Sequence, residues 1–208
     1  MDITKSMNKI ESKIDKSDYE NYPDFLNILI DNIWLDELLQ NCKPEVIKGT
    51  IPTLCFGMED RREEEVVWQR FLPKTGETTI CPILMCPDDN DFYCICIVAE
   101  IHNNGQTIIW KRIGDDASDV IDAKNVGTTV NWFQNFKSLE FSISEYSTVM
   151  ANFKKQHGLY RVDYEIRNKL LAEEQKLNTN NSATNKYCGG RKYFGFKAAL
   201  LLAPKRYR

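Results

Sequence analysis

A pair of β-rich runs joined by a short polar loop constrains the fold of this chain more than any other feature. FYCICIVAEI is followed by HNNGQ and then by TIIWKRIG, and the loop contains Asn104-Gly105. The Asn-Gly pair readily adopts the positive φ angles that tight hairpin turns require. The sequence therefore predicts an antiparallel β-hairpin, and within its first strand Cys94 and Cys96 would point to the same face.

The other apolar segments extend this hairpin into a larger sheet with helices near its two ends. Residues typical of buried strands predict further strands within 25–30, 63–73, 78–86 and 138–143. Apolar residues at helical spacing predict helices within 35–42, 145–156 and 160–177, and a short one through Ile3, Met7, Ile10 and Ile14. Strands in succession with helices near both ends indicate the α+β fold class, with a single domain and a mostly antiparallel β-sheet.

Three parts of the chain differ in composition. Residues 1–22 form a polar N-terminal segment, and Pro23 marks its end. Residues 23–177 carry the predicted α+β core domain with its C-terminal helices, and 178–208 combine a polar linker with a basic and apolar tail. At 208 residues the chain suits one domain with appendages and is long enough to bury a core.

The formal charge of −3 conceals an uneven distribution of charged residues. The segment 186–208 holds seven of the 27 lysine and arginine residues and none of the 30 acidic residues, so residues 1–185 carry 20 bases against 30 acids, a net charge of −10. An acidic body argues against nucleic-acid binding by that body, because phosphates require concentrated positive charge. It suits a basic protein partner.

The cysteines and the lack of an export or membrane signal predict a cytoplasmic protein with reduced thiols. The stretch MDITKSMNKIESKIDKSDYE has no apolar signal-peptide core, and no run approaches the roughly 18 apolar residues of a membrane span. The spacing of four cysteines differs from the paired knuckles of zinc sites: Cys81, Cys86, Cys94 and Cys96. We therefore expect buried core thiols, no metal site and no cofactor.

Three aspartates, Asp88, Asp89 and Asp91, follow Pro87 in the segment CPDDNDFY. Aspartate side chains bond to nearby backbone amides in turns, and a turn is the first interpretation of this segment. An exposed acidic loop that recognises a partner is the second. Metal binding or acid–base catalysis is the third, although the glycine and the glutamate that an EF-hand loop requires are missing.

A second acidic segment, EDRREEEVVW, begins at Glu59 and places its acids around Arg61 and Arg62. Such a run is usually a solvated loop, but it can also form one edge of an acidic face that steers a cationic partner. We therefore predict a partner-binding set drawn from both segments: Glu59, Asp60, Glu63, Glu64, Asp88, Asp89 and Asp91.

Catalytic signatures are missing from the chain. The motifs G-x-G-x-x-G, the P-loop, H-E-x-x-H and G-x-S-x-G do not occur. The two histidines, His102 and His157, stand in no motif that would activate a particular cysteine. We therefore expect no catalytic residues and no enzyme; the alternative is a metal- or carboxylate-dependent enzyme that uses Asp88, Asp89 and Asp91.

The basic C-terminal segment KYCGGRKYFGFKAALLLAPKRYR supports a further alternative. Interleaved bases and aromatic residues suit an anionic surface, which would make the chain an interaction module with a basic tail. The plainer interpretation packs FGFKAALLLAP onto the domain, because AALLLA in solvent would create an exposed apolar patch.

Four segments of the chain resemble immunity proteins of bacterial polymorphic toxin systems. They are FLNILIDNIWLDELL, GTIPTL, EEEVVWQRFLP and TTICPILMCPDDNDFYCICIVAEI, and the resemblance covers about residues 25–156. It implies a small cytoplasmic protein without enzymatic activity that binds a cognate toxin domain and occludes its active site. The acidic body suits a basic toxin, since charge complementarity speeds such an encounter.

Overall fold

The computed structural model describes residues 7–16 and 24–182, which form two antiparallel sheets and flanking helices around one apolar core. The strands are β1 Ile10–Asp15, β2 Phe25–Ile30, β3 Ile33–Trp34, β4 Ile51–Pro52, β5 Thr78–Met85, β6 Cys96–Asn103, β7 Thr107–Asp116, β8 Val130–Trp132 and β9 Leu139–Ser142. The helices are α1 Leu35–Gln40, α2 Pro44–Ile47, α3 Arg61–Arg70 and α4 Ile143–Ser182. The predicted α+β fold class is confirmed.

The larger sheet is built around the predicted hairpin, which the structure confirms as β6 and β7. These strands pair antiparallel, and Gly105 in their connecting turn has a φ of 91°. The strand order is β4-β5-β6-β7-β8, and β9 also pairs with β7. The predicted strands within 25–30, 78–86 and 138–143 and the predicted helix within 35–42 are likewise present as β2, β5, β9 and α1.

The hairpin's first strand begins at Cys96, so the expectation that Cys94 shares a strand face with Cys96 is wrong. Cys94 lies in a bend and is exposed, whereas Cys96 is buried. The cause is the neighbouring Phe92, whose side chain is fully buried and whose backbone N–H donates to the Glu63 carboxylate. Burial of this ring draws residues 92–94 out of the strand direction.

The smaller sheet contains β1, β2 and β3 in that order, and β1 replaces the helix predicted through Ile10 and Ile14. All six residues of β2 are buried, so its backbone groups need partners from the protein. Strand β1 supplies them in an antiparallel register that pairs Ile10 with Ile30. Ile10 is buried but Ile14 is 50% exposed, so no continuous helical face packs against the core.

Helix α3 occupies the segment that we predicted as a strand within 63–73, and that prediction is wrong. Asp60 caps the helix by accepting a hydrogen bond from the Arg62 backbone N–H at 2.8 Å. Glu63, Val67 and Phe71 recur every fourth residue and are buried, which is the periodicity of a helix face. The short VVW run is compatible with a strand or a helix. The Asp60 cap and the four-residue spacing of the buried side chains favour the helix.

Helix α4 is one continuous element where the sequence predicted two helices. It runs through Gly158 and extends to Ser182, past the start of the predicted linker at 178. Its first turn is capped by Ser142, whose hydroxyl accepts a hydrogen bond from the Glu145 N–H at 3.4 Å. The predicted basic tail at 186–208 lies outside the described residues.

A buried hydrogen-bond relay joins β7, α4 and the end of α3. The indole Nε1–H of Trp110 donates to the hydroxyl of Tyr146 at 2.9 Å, and that hydroxyl donates to the carbonyl oxygen of Phe71 at 2.9 Å. All three side chains are fully buried, and the Phe71 and Tyr146 rings stack with centroids 4.9 Å apart. The relay therefore satisfies polar groups that water cannot reach.

Replacement of Tyr146 by Phe tests the relay. The substitution keeps the ring stack but leaves the Trp110 N–H and the Phe71 carbonyl without their partner, and we expect it to lower the free energy of unfolding by about 1–3 kcal/mol. Tyr160→Phe is the matched control, because Tyr160 is only half-buried on the same helix. Urea denaturation measures both; equal stability of the two variants would contradict the role given to the relay.

Candidate functional site

The two acidic segments singled out in the sequence meet in the structure. The backbone N–H of Glu59 donates to the carbonyl of Asn90 at 3.2 Å, and the Phe92 N–H donates to the Glu63 carboxylate at 3.2 Å. These bonds hold the loop 86–95, which connects β5 and β6, against the start of α3. We call the resulting surface the acidic face and define it by Glu59, Asp60, Glu63, Asp88, Asp89 and Asp91.

Two members of the acidic face also have local structural roles. Asp60 caps α3 and forms an exposed ion pair with Arg62 at 2.6 Å, and the hydrogen bonds from Arg62 lower the pKa of Asp60. Asp91 accepts a hydrogen bond from the Tyr93 N–H at 2.8 Å, the local bond expected of an aspartate in a turn. Glu59, Asp88 and Asp89 are exposed, so their charges face solvent.

Glu63 is the buried member of the acidic face, and only 6% of it is exposed. Burial raises the pKa of its carboxyl from 4.5 to about 7; the hydrogen bond from the Phe92 N–H opposes this, and the negative charges of Asp91, Asp60 and Asp122 add to it. Asp122 was not part of the predicted set, because it comes from the distant connection between β7 and β8. Burial is therefore the main reason that Glu63 holds its proton more tightly than an exposed carboxyl, and the neighbouring carboxylates contribute less.

Glu64 does not belong to the acidic face, although the sequence placed it there. Its carboxylate pairs with the ring of His157 on α4, and both side chains are largely buried. Successive side chains on a helix point about 100° apart, so Glu63 contacts the loop 86–95 whereas Glu64 contacts α4. The pair therefore holds α3 to α4.

Tyr93 is the exposed aromatic residue of the same loop, and the sequence analysis did not single it out. Its side chain is 80% exposed, next to Asp91 and one residue before Cys94. An aromatic ring that is held in solvent among charged groups resembles the anchor residues of protein interfaces. The sequence does not single out Tyr93, because it lies in the run FYCICIVAEI. In a predicted strand, alternating residues are expected to be buried and exposed, so one exposed aromatic residue is no signal of a binding site.

Two surface depressions have volumes of about 390 and 400 Å³. The first contains the ion pair of Lys43 with Asp115, beside Trp132. The second adjoins the acidic face and is lined by both signs of charge: Arg62, Glu65, Asp122 and Lys124 among them. Neither depression includes Asp88, Asp89 or Asp91, the residues that a carboxylate-dependent enzyme would use.

The far part of α4 carries exposed apolar side chains. Helix α4 docks on the body through residues such as Tyr146 and Phe153, and further along through the stacked pair of Tyr160 with Phe56. Four exposed apolar residues lie on another side of the helix, about 80–160° around its axis from Tyr160 at about 100° per residue: Leu159, Val162, Ile166 and Leu170. Their spacing of three or four residues is typical of one face of a helix. The many charged residues between them make this apolar pattern hard to recognise in the sequence.

Comparison with family models, with curated protein sequences and with solved structures finds no match to this chain. The resemblance to immunity proteins therefore stays a prediction. Among the described residues, no helix is both long and apolar enough to cross a membrane.

The pH dependence of stability tests the environment of Glu63. Because its pKa is raised in the folded state, the folded protein holds the proton more tightly, and stability should fall as pH rises from 4.5 to about 7. The cost of ionisation is about 3 kcal/mol at most. Glu63→Gln keeps an acceptor for the Phe92 N–H and should remove this loss, so the variant is the more stable protein at pH 8.

Thermal denaturation between pH 5 and pH 8 measures this effect. The control is Glu65→Gln, an exposed carboxyl on the same helix, which should leave the pH profile of the wild type unchanged. A Glu63→Gln profile that falls as steeply as that of the wild type would show that another group titrates.

Proposed function

We propose that this protein is an immunity-type binding protein that captures a basic toxin domain through the acidic face and occludes its active site. The observation that carries the proposal is the meeting of two acidic segments that are separated in sequence by β5. Their meeting brings carboxylates from both segments onto one surface, which is the arrangement that attracts a cationic partner. The resemblance of residues 25–156 to immunity proteins supplies the class of partner.

The charge of the acidic face supports rapid capture of a cationic partner. Exposed carboxylates at Glu59, Asp88 and Asp89 lie on one surface of a body whose net charge is negative. Opposite charges steer association over about one Debye length, about 8 Å at physiological ionic strength. The steering raises the association rate more than the final affinity.

Affinity requires apolar contact as well as charge, and Tyr93 supplies it on the same loop. A large exposed ring surrounded by polar groups gains buried area when a partner covers it, and such residues dominate measured binding energies. The aspartates would then act as the polar rim around the ring.

Charge reversal on the acidic face tests the electrostatic part of the proposal. We expect Glu59→Lys with Asp88→Lys to slow association with the toxin encoded beside this gene by at least about tenfold at low salt. The double variant Glu37→Lys with Glu173→Lys has the same net charge on exposed positions elsewhere and should retain the wild-type rate. Stopped-flow association at several salt concentrations is the measurement. Equal association rates for the two double variants would refute the proposal. So would a product of the adjacent gene that this protein neither binds nor neutralises.

Truncation of the exposed ring tests the apolar part. Tyr93→Ala should leave folding unchanged, because 80% of the residue is exposed. We expect it to weaken binding of the same toxin by more than about 1 kcal/mol, mainly through faster dissociation. Tyr164→Ala, an exposed tyrosine on α4, is the control. Surface plasmon resonance separates the two rates, and an unchanged dissociation rate for Tyr93→Ala would exclude it as an anchor.

A further inference from the structure

Three potential metal ligands converge in the loop that carries the acidic face. The Sγ atoms of Cys86 and Cys94 and a carboxylate oxygen of Asp89 all lie within 4.8 Å of one another. Ligand atoms on a tetrahedral Zn²⁺ ion lie about 3.5–3.8 Å apart, given bonds of about 2.0–2.3 Å. A contraction of at most about 1.3 Å would therefore bring this set to coordination distance.

The loop is closed at its base and held in a folded-back shape. Met85 and Cys96 are paired partners in β5 and β6, which brings the two ends of the loop together. Within the loop, the Asn90 N–H donates to the Cys86 carbonyl at 3.3 Å, and Asn90 has a φ of 50°. The backbone thus returns Cys94 to the neighbourhood of Cys86 without help from a ligand.

One ligand is anchored and two are free to adjust. Cys86 is 4% exposed and follows directly on β5, whereas Asp89 and Cys94 are exposed on the loop. Small movements of the exposed pair toward the fixed thiol therefore need no change in the core. A site of this kind is accessible to an ion from solvent.

The other cysteines of the sheet have a different environment. Cys81 is fully buried, and its thiol contacts the carbonyl oxygens of Val67 and Pro82. Cys96 is buried at 3% exposure on β6. These two match the core thiols expected from the sequence, so the structure separates the four closely spaced cysteines into a core pair and a loop pair.

The local charge favours a cation between the loop thiols. The carboxylate of Asp89 lies beside the two thiols, and Asp91 follows two residues later in the same loop. Their negative charges attract a divalent ion, which neutralises the thiolates and the carboxylate together when it binds.

We propose that Cys86, Asp89 and Cys94 form a binding site for Zn²⁺. Two thiolates with one carboxylate select a borderline-soft ion such as Zn²⁺ over Mg²⁺ and Ca²⁺, which prefer oxygen ligands. On binding, each S–H bond is replaced by a Zn–S bond and its proton passes to the buffer. Three protein ligands leave one coordination position for water or for a group of a partner.

The site would also stiffen the loop that presents Tyr93 and the aspartates, so metal binding and partner binding would share one structural element. The proposal itself requires no partner. Its test uses the protein alone, and its failure would leave the proposed toxin binding untouched.

Titration of the reduced, full-length protein with Co²⁺, followed by competition with Zn²⁺, tests the site. We expect one equivalent of Co²⁺ to give thiolate-to-cobalt charge-transfer absorption, which Zn²⁺ abolishes. Cys94→Ser and Asp89→Asn should each lower the affinity for Co²⁺ by at least about tenfold. Removal of a residue that only hydrogen-bonds to a metal ligand already has an effect of this size, and removal of a ligand should have at least the same effect. Cys42→Ser and Asp119→Asn are the controls, a partly exposed thiol and an exposed carboxylate elsewhere, and should bind like the wild type.

Three results would overturn the proposal. The first is no charge-transfer absorption in the wild type. The second is unchanged absorption and affinity in Cys94→Ser, which would place the bound cobalt on other thiols of the chain. The third is a Cys86–Cys94 disulfide, detected by mass spectrometry before reduction, in a protein that takes up no metal after reduction.

Discussion

The packing of this protein depends on one buried hydroxyl, that of Tyr146. It accepts a hydrogen bond from Trp110 on β7 and donates one to the Phe71 carbonyl at the end of α3. An unpaired polar group in the core costs about as much free energy as several buried methylene groups contribute, so the complete relay stabilises the packing of these elements. The relay thereby sets the position of α3 between the sheet and α4, and the pair of Glu64 with His157 holds α3 to α4 as well.

The placement of α3 determines the surface at its other end. The first turn of this helix meets the loop 86–95, where Glu63 accepts the Phe92 N–H and loses most of its contact with water. Burial of Phe92 then turns Tyr93 and Cys94 outward. The same short loop therefore carries the exposed ring and acids of the proposed recognition surface and the ligands of the proposed metal site.

Local signals were sufficient for the parts of the fold with strong periodicity or a specific turn. The Asn104-Gly105 hairpin, the buried strand β2 and helix α1 followed from spacing and turn chemistry. The predicted strand around Val66 and Val67 is wrong, because three successive apolar residues fit a strand and a helix equally well. The signal for the helix is the spacing of four residues between Glu63, Val67 and Phe71, in which a charged residue occupies a core-facing position.

By itself, the sequence determined the α+β class, the central hairpin and the two acidic segments, because these depend on residues close together in the chain. Only the tertiary structure decided that the two segments meet, that Glu64 faces α4 and that Cys86 and Cys94 converge with Asp89. The first two outcomes rest on the packing of α3 against elements distant in sequence, and the third rests on the pairing of β5 with β6 and on the course of the loop between them. Sequence spacing cannot specify such contacts, since they follow from which side chains the core can bury together and which polar groups must find partners there.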